Sequence, residues 1–217
     1  MHTTLRNSFQ IDDTMGRMMS NAHILAGVAT ALTLAQTGSI ESCTAAVIGG
    51  SIGGIIADCD ITSSHAHRDA LRGRIVVGGL AAIALLVDSQ TNVGLCNYLI
   101  SHLGVLPITG LLLFATLTFV GRLTDHRSFT HSLIALAAFT FAVVLACQPL
   151  APYFAMGYAS HLVLDALNKQ PIKLFFPFRK GVAFGICKSN GSASLLIQGV
   201  SALAIAALIA VKFTPLF

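Results

Sequence analysis

The stretch Asp125-His126-Arg127-Ser128-Phe129-Thr130-His131-Ser132 places two imidazoles, a guanidinium, a carboxylate and three hydroxyls within eight residues. Three further groups of the same chemistry occur elsewhere: His23, the pair Asp58 and Asp60 around Cys59, and the pair His161 and Asp165. Imidazoles and carboxylates without thiolates other than Cys59 form a hard-to-borderline donor set, suited to Zn, Mn or Fe rather than Cu(I) or an iron–sulfur cluster. His161 and Asp165 stand at i and i+4, so on a helix they project from one face. Asp58 and Asp60 point apart on a helix but to one side in extended backbone, and the following Ile61-Thr62-Ser63-Ser64 suits such an unwound end. His23, Asp58, Asp60, His126, His131, His161 and Asp165 are therefore seven candidate ligands. That is more than a single tetrahedral ion uses, which predicts one or two divalent ions, zinc foremost.

Each of these residues also has a plainer explanation. His23 or Asp125 alone is what a snorkelling or capping residue near a span end looks like. Asp-Cys-Asp terminates a helix as readily as it binds an ion, Arg127 fits a cationic anchor, and the Phe175 to Phe178 cluster fits an interfacial aromatic belt. His65 and His67 lie in a polar loop and read as solvated. Taken together the residues point the other way, because so many ionisable groups in apolar surroundings are costly unless they pair with one another or with cations.

The surroundings are indeed apolar. Of 217 residues 54% are hydrophobic and only 10% charged, without any Trp, and the mean hydropathy is +0.77. Such a chain is solvated by lipid and by its own helices, not by water. Its five cysteines, 43, 59, 96, 147 and 187, are odd in number, scattered and without a CxxC pair, which excludes a disulfide framework or zinc knuckle and leaves them as small apolar residues. The net charge of +4 reflects membrane topology, and no nucleic-acid partner is expected.

The pattern predicts an all-α polytopic bundle forming one domain over 1–217: a tail at 1–21 and a membrane bundle over 22–211. Apolar runs fall at about Ala22 to Thr37, Cys43 to Ala57, Ile75 to Val87, Leu95 to Val120, Ser132 to Cys147, Pro152 to Leu167 and Leu195 to Val211, giving about seven spans. Pro107 is expected to break the fourth, with Leu95 to Leu106 interfacial and Gly110 to Val120 crossing. Thr130 or Ser128 is available to cap the fifth. Pro171 to Lys180, apolar but proline-broken, reads as an interfacial or re-entrant segment. Gly49/Gly53 and Gly50/Gly54 have the spacing that lets membrane helices approach closely.

Seven crossings put twelve of the thirteen arginines and lysines on one side, with Lys212 alone opposite. By the positive-inside rule that side is cytoplasmic, with the N-terminus there and the C-terminus outside. The same topology brings His23, Asp58/Asp60, Asp125 to His131 and His161/Asp165 to that one leaflet. His102, Glu41 and Asp88 fall on the far side.

These residues resemble a family of bacterial inner-membrane proteins, YdjM-like and in one member controlled by the LexA repressor of the SOS response, that are named metal-dependent hydrolases. The likeness lies in His23, in Asp58-Cys59-Asp60 for a D-x-D, in His126 to Ser132 for H-R-G-x-T-H-S, in Gly157-Tyr158-Ala159-Ser160-His161 through Asp165 for G-Y-x-S-H-x-x-x-D, and in Phe176-Pro177-Phe178 for a W-P-like turn. It spans roughly residues 22 to 180. Ser128 replaces the family glycine and Ala57 a usual proline.

The resemblance implies a hydrolase in the bacterial inner membrane. The expected reaction is metal-dependent hydrolysis at the cytoplasmic leaflet, on a phosphate ester of a lipid or lipid-linked substrate. Arg127 would clamp the anionic group, Asp165 and Asp125 would assist catalysis, with Asp125 orienting a histidine, and Arg179 and Lys180 would hold a headgroup. Two rivals are an ion-coupled transporter, which needs polar residues through the depth of the spans, and a metal-independent lipid phosphatase with a His nucleophile. For the latter, His161-x-x-x-Asp165 fits, but the arginine expected before the histidine is absent.

Overall fold

The computed structural model describes residues 21–36, 39–60, 104–186 and 192–214. Within them the chain is helical, without a strand; Ile172 and Val182 form an isolated antiparallel bridge. The helices are α1 (Asn21–Leu32), α2 (Ile40–Ile56) running into a 3₁₀ turn Ala57–Asp60, α3 (Val105–Leu123), α4 (Leu133–Cys147), α5 (Ala151–Ala166) and α6 (Ser192–Phe213). The run predicted at Ile75 to Val87, most of Leu95 to Leu106, His65, His67, His102 and Asp88 lie outside the described residues, as does the tail before residue 21.

Four elements are long and apolar enough to cross a membrane: Ile40–Asp60, Val105–Leu123, Leu133–Ala166 and Ser192–Phe213. The third of these is two helices, not one. A straight helix of its 34 residues would be about 51 Å long, yet His131, just before its start, lies 3.0 Å from Asp165, near its end. The reversal occurs at Cys147, whose backbone is extended (φ −159, ψ 85), where Pro149 follows in the short turn Gln148–Leu150. So α4 and α5 form an antiparallel hairpin. Seven crossings are thus not what the described residues display.

Pro107 does not interrupt α3. It stands in the helix's first turn, where the amide it lacks would have had no helical partner. The cap of α4 is neither Thr130 nor Ser128 but Ser132, whose Oγ accepts from the Ala135 amide at 3.1 Å; Thr130 and Ser128 are held in the turn before it.

Two buried clusters hold the bundle. One gathers Phe139, Phe154, Tyr158 and Leu162 with Ala57 and Phe129. Its rings pack edge to face, Phe139 on Tyr158 at 5.9 Å and Phe154 on Tyr158 at 5.8 Å between centroids, the geometry aromatic quadrupoles favour. The other joins Val28, Ala31 and Leu32 of α1 to Cys43 and Ala46 of α2. Between the clusters, α1, α2 and α5 meet backbone to backbone. A Cβ on Gly50 would strike the Gly27 carbonyl and Val28, and one on Gly157 would strike Gly50. Outward faces carry exposed Leu111, Leu112, Leu196 and Leu203, as lipid contact requires.

The helix directions follow from these contacts. α1 begins, α2 ends, α3 ends, α4 begins and α5 ends at one pole of the bundle. At the opposite pole Lys212 of α6 donates to the Ala35 carbonyl after α1, and Tyr153 Oη meets Ser42 Oγ at 2.7 Å. Arg122, Arg127, Lys169, Lys173, Arg179 and Lys180 follow helix ends at the first pole, opposite Lys212.

Gly53 tests this packing most directly. A methyl there would enter the Phe154 carbonyl oxygen and the Tyr158 amide nitrogen, both backbone and unable to yield. Gly53→Ala is expected to destabilise the protein by about 1–3 kcal/mol, seen as a lower midpoint of unfolding in detergent and SDS mixtures. Gly199→Ala in α6, where nothing lies within 4 Å, is expected to leave the midpoint unchanged or slightly raised.

Candidate functional site

The first pole holds a buried polar cluster built by four elements. α1 contributes His23, the 3₁₀ turn after α2 contributes Asp58 and Asp60, the turn before α4 contributes Thr130 and His131, and α5 contributes His161 and Asp165. His131, His161 and Asp165 are fully or almost fully buried, and Asp58 is the edge that opens outward, its side chain 18% exposed.

Hydrogen-bond partners decide the tautomers of the two central rings. His161 Nδ1 lies 2.8 Å from the Gly54 carbonyl oxygen. A carbonyl only accepts, so Nδ1 carries the proton and donates, and Nε2 presents its lone pair when the ring is neutral. On His131 the argument runs through Asp60. Its carboxylate accepts from Thr130 Oγ1 at 2.8 Å, from the Arg127 amide at 3.1 Å and from His126 Nδ1 at 2.9 Å. Thr130 has then used its proton, so its oxygen accepts from His131 Nδ1 at 3.1 Å. When the ring is neutral, His131 Nε2 is thereby the nitrogen with the lone pair, and it faces inward.

Inside, these nitrogens meet each other and two carboxylates. His131 Nε2 and His161 Nε2 are 3.4 Å apart. Asp165 Oδ2 is 3.0 Å from the first and 3.6 Å from the second, and Asp58 Oδ1 is 3.6 and 3.7 Å from them. His23 stacks on His161 with centroids 4.0 Å apart, its Nε2 3.6 Å from Asp165 Oδ1; its buried Nδ1 has no hydrogen-bond partner. Two sets, His23/His161/Asp165 and Asp58/His131/His161, have ligand atoms close enough to share one ion.

Five of the seven candidate ligands thus come together: His23, Asp58, His131, His161 and Asp165. Asp60 and His126 stand one layer out. In place of the extended backbone expected at Asp58 and Asp60 the chain forms a 3₁₀ turn, in which residues two apart diverge by about 120°. Asp58 therefore faces the Nε2 side of His131 and Asp60 the Nδ1 side. His126, with its side chain 47% exposed, pairs with Asp60 only.

Asp125 does not orient a histidine. Its carboxylate is 91% exposed and its partner is Lys173 at 3.9 Å; Asp60 takes the role assigned to it. The chain turns sharply after Asp125, because Arg127 adopts φ 62, a left-handed conformation costing a non-glycine residue about 1 kcal/mol. That turn sends His126 outward and brings the Arg127 amide to Asp60. The Arg127 side chain, 12% exposed, lies at the mouth: Nη1 donates to the Gln170 carbonyl at 2.9 Å, Nη2 is 3.6 Å from Asp165 Oδ1, and Nε is buried without a partner. Arg179 and Lys180 are exposed on the segment beyond α5 and do not enter the cluster.

Two contributors were not among the candidate site residues. The Gly54 carbonyl is a backbone atom, and the only hint was glycine spacing in α2. Tyr158 Oη donates to the Thr130 carbonyl at 2.5 Å, which fixes the turn that carries His131; its place three residues before His161 puts it on the same helix face.

The match of the YdjM inner membrane protein family runs over residues 18–215. The chain belongs to that family. It is also similar to the uncharacterized protein YvsG of Bacillus subtilis (strain 168), 33% identical over 86 residues, which cover 38% of this chain and 54% of that protein. The match thus spans about half the length of that relative. No solved structure matches the chain. The family places the protein in an inner membrane, in agreement with its apolar helices.

Tyr158→Phe removes one donor and leaves the buried Thr130 carbonyl unpaired. A loss of about 1–3 kcal/mol is expected, measured as a shift in the unfolding midpoint in detergent, with helix content retained.

Proposed function

We propose that the cluster is a divalent-cation centre, zinc foremost with Mn or Fe as alternatives, and that the protein is a membrane-embedded hydrolase of phosphate esters in lipids or lipid-linked substrates. The single observation that carries this reading is the convergence of four potential ligand atoms: His131 Nε2 and His161 Nε2 lie 3.4 Å apart, each within 3.7 Å of Asp58 Oδ1 and Asp165 Oδ2. Two carboxylates buried this close to each other call for positive charge, which a bound cation can supply in place of ring protons. Two imidazoles and two carboxylates match the preference of zinc and its neighbours for mixed nitrogen and oxygen ligands. The Gly54 carbonyl behind His161, and Thr130 with Asp60 behind His131, are the outer partners that orient metal-binding imidazoles. His23 is a fifth ligand or holds a second ion with His161 and Asp165.

A cation here supplies Lewis acidity toward a phosphoryl oxygen and makes water a stronger acid. The chain's own residues do the rest. Arg127, pinned at the mouth, receives the anionic group through its unpartnered Nε. Asp165 Oδ1, turned away from the histidine pair toward His23 and Arg127, is the atom placed to accept a proton. The crowding of Arg and Lys at this pole supports its lying at the cytoplasmic leaflet, with the C-terminus outside.

Two rivals fit less well. A histidine nucleophile needs its Nδ1 held by a carboxylate and its Nε2 open; in His161 a carbonyl holds Nδ1, and Nε2 is buried against His131. A transporter needs ionisable groups through the bundle, whereas those of the described spans gather at one pole, apart from Glu41 and Lys212.

Elemental analysis of protein purified without added metal is expected to give one to two equivalents, falling by at least one in Asp58→Asn with His161→Ala. Stoichiometry unaltered by both substitutions would sink the cation centre, and activity on lipid phosphate esters that survives chelation would sink the metal-dependent reaction. Asp60→Asn, which touches no proposed ligand atom but releases His131 from its tautomer, is expected to weaken metal affinity about 10–100-fold, read by competition with a chromogenic chelator.

A further inference from the structure

Beyond α5 the chain does not leave the bundle. Residues 168–186 fold back beneath the first pole as a strap. The Ile172 amide and carbonyl pair with those of Val182, the Lys173 amide donates to the Arg127 carbonyl at 3.0 Å, and the Leu133 amide donates to the Leu174 carbonyl at 3.0 Å. Fully buried Ile172, and Phe176 packed on Phe129 at 5.8 Å, face inward. The outer surface is the reverse of what water would select. Phe175, Phe178, Phe184 and Ile186 are 55%, 72%, 66% and 71% exposed, beside the cations Lys173, Arg179 and Lys180.

We infer that this strap is seated in the headgroup layer of the leaflet at the first pole, its aromatic side chains at the acyl boundary and Arg179 and Lys180 on phosphates of anionic lipids. Three observations lead there. Rings with lysine and arginine neighbours are the composition of an interfacial anchor. The strap is fixed to the membrane-embedded helices by backbone hydrogen bonds, so its level relative to them is set. Its exposed apolar side chains are continued by exposed Leu195 and Leu196 at the same end of α6, where lipid is the solvent. Arg179 and Lys180 therefore serve the bilayer rather than the substrate in the cluster, and this holds whether or not the cluster binds a cation.

The chain has no tryptophan, so Phe178→Trp introduces a single fluorophore at an exposed site. In proteoliposomes its emission is expected to be blue-shifted, quenched by lipids brominated near the glycerol end of the acyl chain, and little affected by aqueous iodide. Brominated phosphatidylglycerol should quench at lower mole fraction than brominated phosphatidylcholine. Arg179→Gln with Lys180→Gln should reduce that preference roughly fivefold for each charge removed. Red-shifted emission with strong iodide quenching would overturn the seating. So would emission insensitive to both quenchers, which means that protein covers the site. Equal quenching by the two headgroups would overturn the role of Arg179 and Lys180. Phe184→Trp repeats the measurement at a second exposed position, so a folding defect in one variant leaves the other to decide.

Discussion

Two inward-facing imidazole nitrogens, 3.4 Å apart and flanked by two carboxylates, form the constraint on which the rest of this structure depends. A neutral ring free to flip could present its N–H to Asp165 instead. Both rings are held from behind. The Gly54 carbonyl takes the Nδ1 proton of His161, and Thr130, having donated to Asp60, takes that of His131. Each partner is buried, so breaking either bond to flip a ring leaves an unpaired polar atom at a cost of about 1–3 kcal/mol. The outer layer thus fixes the orientation in which both Nε2 atoms face the two carboxylates.

That outer layer requires helices in unusually close approach. The Gly54 carbonyl reaches His161 because α2 and α5 touch through Gly50, Gly53 and Gly157, where any side chain would collide with backbone. Lipid tails are as apolar as leucine, so helices in a bilayer gain little from burying large side chains and associate through small residues that bring backbones together. The same glycines place α1 against α2, which sets His23 over His161. Packing and site are one construction: widening the interface by a methyl would separate the histidine from its carbonyl.

Much of this was legible in the sequence because lipid imposes strong rules. Runs of apolar residues located α2, α4, α5 and α6 to within a few residues, and the charge asymmetry brought His23, Asp58, His131, His161 and Asp165 to one pole. The finer assignments depended on backbone geometry, which residue type does not encode. Asp58 and Asp60 look equivalent in sequence, and the 3₁₀ turn divides them into an inner and an outer carboxylate. His126 and His131 look equivalent as well, and the left-handed Arg127 turns one outward. Asp125 was misassigned for the same reason, since the turn that follows it points its carboxylate at Lys173. Gly54 acts through a main-chain atom, which every residue possesses.

Access to the cluster follows from what encloses it. Phe139, Phe154, Tyr158 and Leu162 seal the side toward the bundle interior, and α1 covers another. Among the cluster residues and Arg127 only Asp58 and Arg127 retain solvent-accessible side-chain surface above a tenth, both at the first pole. Arg127 is held there by the strap, which takes its carbonyl through the Lys173 amide and its guanidinium through the Gln170 carbonyl. Among the described residues the cluster's edge is therefore Asp58 and Arg127, an anion beside a cation. A neutral or purely cationic molecule gains nothing from the guanidinium. On the proposed reading, an anionic oxygen would displace the contact of Arg127 with Asp165 Oδ1, the oxygen that faces His23. The two backbone contacts of the strap therefore fix the guanidinium beside Asp165, at the edge of the cluster.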